Sequence, residues 1–432
     1  IADLSLSVDS DCPRGLVAFT NARVITMNSA RDVIENGVVI VEDNRIVALG
    51  ATGDVSIPDG ASQVDLAGKT LMPGYIDAHA HGPYGRDDII PQNNWSLLAH
   101  LALGVTTVHN PSSRAAQVFP AAEYQRAGKI IGPRIFSTGE IIYGAKSTGF
   151  DPIESLDDAK AVVDRLKAQG AISVKNYNQP RRAQRQMVIE AARDAGMLVV
   201  AEGGSLYNMD MNLVADGSTG IEHNIPTLKI YDDVRDFWSN TRVGYTPTLG
   251  VTYGGLTSED RFYRYTEVWK HPLLSHFVPP TVLQPRAVRR VTAPEPDYRD
   301  DDAAAVAKEL MELGVLVNTG AHGQREGLAT HWEMWSFVEG GMNPMQMLAT
   351  ATINPARYLG MDADLGSIET GKLADLQVVD GDPLEDVKST DRITHVMVNG
   401  RLYRANDLGE VVTGSRPAPT LWWHNQPQHQ IR

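Results

Sequence analysis

The apolar and polar positions of the chain change rhythm twice. From Leu16 to about Leu71, short strand-like runs separated by turn residues (Val17–Thr20, Arg23–Met27, Gly37–Val41 and Arg45–Leu49) predict a small sheet. The same texture returns in Leu376–Asp380, Ile393–Val398 and Arg401–Arg404, where Asn399-Gly400 predicts a tight hairpin turn. Both ends therefore predict one satellite β-domain assembled from sequence-distant halves. Between them, strand-like runs alternate with helix-like periodic segments, the habit of a parallel α/β fold. The candidate strands are Tyr75–His79, Val105–His109, Arg134–Ser137, Ile172–Lys175, Leu198–Glu202, Gly220–His223, Val243–Pro247 and Val315–Asn318. Eight strands with intervening helices, among them Leu156–Ala168, Gln184–Ala195 and Asp300–Leu313, fit a closed (β/α)8 TIM barrel better than an open doubly wound sheet. The proline-punctuated stretch Pro279–Pro296 reads as part of a long loop after the seventh strand. The run His331-Trp332-Glu333-Met334-Trp335 reads as an amphipathic core helix.

With 432 residues, 42% of them hydrophobic and 21% charged, the chain can bury a large core. Its formal charge of −14 and its short basic clusters, Arg181-Arg182 and Arg289-Arg290, argue against a nucleic-acid or anionic-membrane surface, because phosphates reward extended Lys and Arg clusters. A small-molecule or peptide-like substrate remains, and assembly as a homo-oligomer is compatible with the sequence. No run of about 18 apolar residues exists, so no membrane-spanning helix is expected. One cysteine, Cys12, excludes a multi-thiolate metal site, so any metal must bind through His, carboxylate or modified Lys. The chain opens on Ile1 and a polar segment, Asp9 to Gly15, which reads as a mature or trimmed piece of something longer.

The candidate chemistry sits at the strand ends. In an extended strand, residues two apart point to the same side, so His79 and His81 can reach one metal ion. Lys175, Glu202, His223 and His322 lie at or just past the ends of later candidate strands, which a barrel gathers on one face. Taken alone, Lys175 reads as an ordinary helix-capping or salt-bridging lysine, and His223 equally as a hydrogen-bonded core histidine or a ligand. His109 and Glu140 are further candidates for a metal or its supporting shell, and Tyr143, Lys146, Tyr177, Tyr207 and Arg325 for substrate binding, since they lie on strand-end loops. Imidazole-rich sites favour zinc, with Mn, Fe or Co accepting the same ligands.

The segment Pro73-Gly74-Tyr75-Ile76-Asp77-Ala78-His79-Ala80-His81 resembles the opening barrel strand of the amidohydrolase superfamily. Gly104-Val105-Thr106-Thr107-Val108 is similar to the second strand of that family, and Gly366 to Leu376 to the segment that re-enters its β-sandwich. The resemblance implies a composite β-sandwich from residues 16–72 and 361–410, a hydrolase barrel from 73–360 and a tail from 411–432. Ser137-Thr138-Gly139-Glu140, Gly320-Ala321-His322-Gly323-Gln324 and Trp422-Trp423-His424 resemble the prolidase and imidazolonepropionase-like branch, more narrowly enzymes fused to a TolB-type β-propeller. That narrower likeness implies an absent N-terminal propeller and an exported, periplasmic enzyme.

By the same resemblance, one or two divalent ions are expected. His79 and His81 would bind the more buried one, His223 the second, and Lys175 would bridge them after carboxylation by CO2. The usual pattern has His at the end of strand five and Asp at the end of strand eight. Here Glu202 and His322 stand in those places, an exchange that keeps four His, one carboxylate and one Lys. The expected reaction is hydrolysis of an amide, peptide or cyclic amide by metal-activated water. Deamination of a ring, or a binding module that kept the barrel without turnover, are the alternatives.

Overall fold

A computed structural model describes residues 7–86, 89–143, 148–179, 181–204, 206–288 and 290–425; Lys146 and Arg289 lie outside them. Strands from both chain ends share one eight-stranded mixed sheet. Leu16–Ile25 pairs antiparallel with Val33–Glu42, which pairs with Arg45–Ala51. Across Thr70–Pro73, the ladder passes to Leu376–Val379, then to Ile393–Val398 and Arg401–Arg404. The last two strands meet at Asn399-Gly400, both at positive φ (51° and 77°), the conformation a two-residue hairpin of the right twist requires. Pairing puts all these strands in one sheet and does not divide them into two facing layers. The expected pair Val17–Thr20 and Arg23–Met27 is a single strand with register shifts, because the ladder to Val33–Glu42 continues through irregularities between Phe19 and Val24.

Two parallel sheets carry the middle of the chain. One holds Tyr75–Asp77, Val105–Asn110 and Arg134–Ser137. The other runs through Ile142–Tyr143, Ser173–Tyr177, Leu198–Glu202, Gly220–Glu222 and Gly244–Thr246. Their edges are linked by backbone hydrogen bonds. Ile172 N donates to Ser137 O (3.4 Å) at one edge. At the other, Val317 forms a parallel bridge with Tyr245, and Ala78 N donates to Thr319 O (2.9 Å). The strand expected over Val315–Asn318 is reduced to that bridge. Its next backbone donors turn elsewhere, Thr319 N to Thr350 O and Gly320 N to the Glu333 carboxylate.

Helices cover these sheets where their apolar stripes allow it. Leu156–Gln169 opens with a capping box of Ser155 and Asp158, closes at left-handed Gly170, and buries Ala159, Val162, Val163 and Leu166 at helical spacing. The expected loop over 279–296 contains short helices instead, Pro280–Leu283 and Pro285–Val288, preceded by Pro272–Phe277. Proline opens each of them, the helix position where its missing N–H costs nothing. Leu328–Glu339 is buried on every side from Leu328 to Phe337, so it is a central helix and not the amphipathic one expected.

His331 of that helix donates from Nε2 to Leu103 O (2.9 Å), and burial pushes its pKa down to about 4. A histidine with a depressed folded pKa binds fewer protons folded than unfolded. Its contribution is fully present above pH 6.5 and is lost as the pH falls toward 4. The urea midpoint of the wild type should therefore fall more between pH 7 and pH 5 than that of His331→Gln, which keeps a donor but cannot titrate. Equal falls in both proteins would contradict this.

Candidate metal centre

The loop after Tyr75–Asp77 carries His79 and His81, and Ser173–Tyr177 carries Lys175. Glu202 ends its strand, His223 follows Glu222, and His322 follows the bridge at Val317. The structure brings all six together. Ring centroids lie 5.0 Å apart for His79 and His81, 5.1 Å for His79 and His223, 5.1 Å for His79 and His322, 4.8 Å for His81 and His322, and 5.0 Å for His223 and His322. Fully buried Lys175 places Nζ 2.6 Å from Glu202 Oε2, while Glu202 Oε1 lies 3.2 Å from His223 Nε2.

The backbone that aims these rings is held in unusual conformations. His223 and His322 have positive φ, 75° and 59°, a region most residues avoid. Buried carboxylates hold the loops in place. Asp77 Oδ1 accepts from His79 N and Ala321 N, both at 3.1 Å, and Oδ2 accepts from Thr330 Oγ1 at 3.3 Å. Burial raises the Asp77 pKa to about 6. Glu333 accepts from Leu249 N (3.1 Å) and Gly320 N (3.0 Å), and burial raises its pKa too. A Cβ at Gly320 would stand 2.6 Å from His79 Cβ, so only glycine fits there. Asp77→Ala should orphan two buried N–H groups at about 1–3 kcal/mol each, and the metal-free protein should melt lower accordingly. An unchanged melting temperature would show that Asp77 does not tie these loops.

Three of the four rings are oriented through Nδ1. His79 Nδ1 meets Glu222 Oε2 at 2.5 Å, His81 Nδ1 meets Asn110 Oδ1 at 3.1 Å, and His223 Nδ1 meets Thr248 Oγ1 at 2.6 Å. His79 Nε2 and His322 Nδ1 are buried without any hydrogen-bond partner. Burial, reinforced by the neighbouring cationic groups, pushes His79 well below its ordinary value, His81 to about 4 and His322 to about 3; burial lowers His223 as well. The imidazoles are therefore neutral near pH 7; His223, with Nδ1 on Thr248 and Nε2 on Glu202, would give up the Glu202 contact to offer a lone pair to a metal. Burial alone would raise Glu202, yet its hydrogen bond to His223 and the charge of Lys175 bring it down to about 2, so it is a carboxylate.

These donors fit a divalent ion. His79, His81 and His322 each offer a nitrogen, and the three atoms lie within 4.8 Å of one another. Two orphaned buried ring nitrogens in that cluster are costly unless something polar satisfies them.

The other candidates stand elsewhere. His109 spends both nitrogens, on Ala78 O (3.0 Å) and Ser173 Oγ (2.7 Å), so it supports the first histidine loop and has no lone pair left for a metal. Glu140 Oε1 accepts from Ala115 N (2.9 Å) at the start of helix Ala115–Arg126. Tyr143 and Tyr177 stack at 5.7 Å on neighbouring strands, with Phe150 against Tyr143 at 5.1 Å. Tyr207 opens helix Tyr207–Asp216 against the core. Arg325 is buried, its Nη1 3.5 Å from Glu326 Oε2, and neither Nε nor Nη1 makes a hydrogen bond. Asp77, Asn110, Glu222, Thr248 and Glu333 were not found from sequence. Asp77 and Glu222 do lie within two residues of a candidate ligand, which was the available signal.

Parallel strands gather neutral imidazoles and a carboxylate at their ends, which makes this an α/β protein with a cluster able to hold a metal ion. The chain belongs to the amidohydrolase family, whose model matches residues 70–403. That membership gives the activity class, a hydrolase acting on C–N bonds. A 5-methylthioadenosine/S-adenosylhomocysteine deaminase of Thermodesulfovibrio yellowstonii is 23% identical, over 93% of this chain and 96% of that one. Among solved structures, a putative prolidase from Bifidobacterium longum superposes with a TM-score of 0.71 at 22% identity, covering 96% of this chain and 98% of that one. A Xaa-Pro dipeptidase with bound methionine in its active site gives 0.69 at 23% identity, covering 90% and 100%. Among the described residues, no helix is long and apolar enough to cross a membrane.

Proposed function

We propose that this chain is a metal-dependent hydrolase that cleaves the C–N bond of an amide, peptide or cyclic amide, in the prolidase-like branch of its family. The observation that carries the reading is the group of four neutral imidazoles, two of them buried, beside anionic Glu202, with two ring nitrogens left unsatisfied. Leaving aside the two-residue pairing of Ile142–Tyr143, the seven other strands of the two parallel sheets, the bridge at Val317 and the links between the sheet edges support reading them as one closed eight-stranded barrel. The terminal sheet is then its sandwich-like companion.

His79, His81, His223, His322 and Glu202 would hold one or two divalent ions, zinc by default. Ions there would lower the pKa of a coordinated water and polarise the scissile carbonyl. The protein's own part is to keep its imidazoles neutral by burial, to fix them by hydrogen bonds from behind, and to offer His322 as ligand or proton carrier to the leaving nitrogen. Lys175 would gain a second state in this setting. Its amine, once deprotonated, forms an N–C bond to CO2 and releases a further proton to solvent, leaving an anion with two ligand oxygens. The stacked Tyr143 and Tyr177 would offer a surface to an apolar substrate group, and Arg325 would offer a cation to an anionic one.

Elemental analysis of purified protein, followed by turnover of an N-acyl-dipeptide library with and without a chelator, tests this reading. Bound divalent metal and chelator-sensitive hydrolysis are expected. Active protein free of transition metal would overturn it, and metal-loaded protein inert on every substrate would favour a binding module. The deaminase relative, matched over nearly its whole length, favours ring deamination as the second reading. Ammonia release from adenine nucleosides without peptide cleavage would select it. On its resemblance to propeller-fused enzymes, we also propose export to the periplasm, which recovery of the native protein solely in the cytoplasmic fraction would refute.

A further inference from the structure

Behind His79 stands a buried chain of polar groups that belongs to neither the ligands nor a substrate face. Glu222 is fully buried and directs one oxygen to each side: Oε2 to His79 Nδ1 at 2.5 Å and Oε1 to the Tyr358 hydroxyl at 2.9 Å. Tyr358 is the last residue of helix Ile353–Tyr358, far along the chain from both partners. Its ring occupies space that two neighbouring strands leave open. A Cβ at Gly220 would stand 2.0 Å from the Tyr358 hydroxyl, and one at Gly244 would stand 2.8 Å from its ring. Two glycines at the starts of adjacent strands thus admit one phenol beneath the histidine cluster.

The chemistry of this chain points in one direction. A buried carboxylate is expensive unless it is paired, and the hydrogen bonds of Glu222 go to an imidazole N–H and a phenol. Accepting from Nδ1–H fixes the tautomer of His79 and leaves its lone pair on Nε2, the nitrogen that is buried without a partner. A cation taken up at Nε2 makes Nδ1–H a stronger donor and supplies the charge that the carboxylate lacks, so both bonds reinforce each other. The Tyr358 hydroxyl donates to the other carboxylate oxygen, Oε1, at 2.9 Å while Oε2 faces His79.

We propose that Glu222 and Tyr358 form a positioning relay that orients His79 from behind and sets the affinity of the centre for its metal. This rests on the reading that the centre holds a divalent ion. The test is zinc(II) affinity of the metal-free full chain, measured by competition with a chromophoric chelator, for wild type, Glu222→Gln and Tyr358→Phe. The visible spectrum of the cobalt(II)-loaded proteins is recorded alongside. Glu222→Gln should bind zinc about 10–100-fold more weakly, as removal of an outer-shell carboxylate generally does. Tyr358→Phe keeps the ring over Gly220 and Gly244 and should weaken zinc less, while the metal-free melting temperature stays near that of the wild type. Both variants should shift the cobalt spectrum. If Glu222→Gln fails to fold, Tyr358→Phe carries the test by itself. Wild-type affinity and an unchanged cobalt spectrum in the variants that fold would overturn the relay alone. A wild type that binds no zinc at all would instead remove the functional reading beneath it.

Discussion

Lys175→Ala should abolish hydrolysis, and short carboxylic acids such as acetate or propionate should restore part of it. Metal-centred charge stabilisation is worth several kcal/mol, so removing a lysine that would serve as the proposed bridging ligand should cost about a thousandfold or more in rate. Lys175 is fully buried, projects from the middle of Ser173–Tyr177, and touches Glu202 at 2.6 Å. An ammonium in that place would repel a pair of divalent ions, whereas its CO2 adduct is an anion with two oxygens to share between them. A small carboxylate diffusing into the space left by alanine replaces those oxygens, which a residue needed only for packing would not permit. Incubation of metal-loaded enzyme with 13C-bicarbonate should give a carbamate resonance that Lys175→Ala lacks. Full activity in the alanine variant, or active enzyme without that resonance, would end this account.

The clustering of the candidate ligands was legible because parallel strands deliver their ends to one face, where these residues stand. His79, Lys175, Glu202 and His223 could be placed without knowing any tertiary contact. What stood behind them could not. Glu222 is 143 residues from His79, and Tyr358 a further 136 from Glu222, so nothing local links them. Glu333 was hidden in a run read as one face of an amphipathic helix; that helix is buried all round, and its carboxylate serves the backbone of Leu249 and Gly320. Helix Ala115–Arg126 carries Pro120 in its interior, a residue that ordinarily breaks the pattern. The prolines between Pro279 and Pro296 read as loop punctuation because the sequence shows the residue and not the turn it opens.

Glu202 and His322 should each prove indispensable alone and exchangeable together. In the usual arrangement of the family these two places hold histidine and aspartate, so either residue by itself looks like damage to the site. The structure sets them into one cluster. Glu202 bridges Lys175 and His223, and His322 lies 4.8–5.1 Å, centroid to centroid, from the three other rings. The anionic character of Glu202 survives its burial, and burial holds His322 neutral down to about pH 3, so the pair supplies one negative charge and one lone pair across the usual working range. That is the same sum as a neutral histidine and an ionised aspartate, placed the other way round. Glu202→Gln removes the charge and His322→Asn removes the nitrogen. Each should reduce turnover by about a hundredfold or more, with bound metal falling in parallel. The double variant Glu202→His with His322→Asp restores both and should exceed either Glu202→His or His322→Asp alone. Residues in one network couple in this non-additive way, whereas independent ones would simply multiply their losses. Kinetics and metal content of the four proteins of that cycle, together with the two deletions, decide the matter. Full activity in both Glu202→Gln and His322→Asn, or strictly multiplicative losses in the exchanged double variant, would mean that the two residues do not share one metal centre.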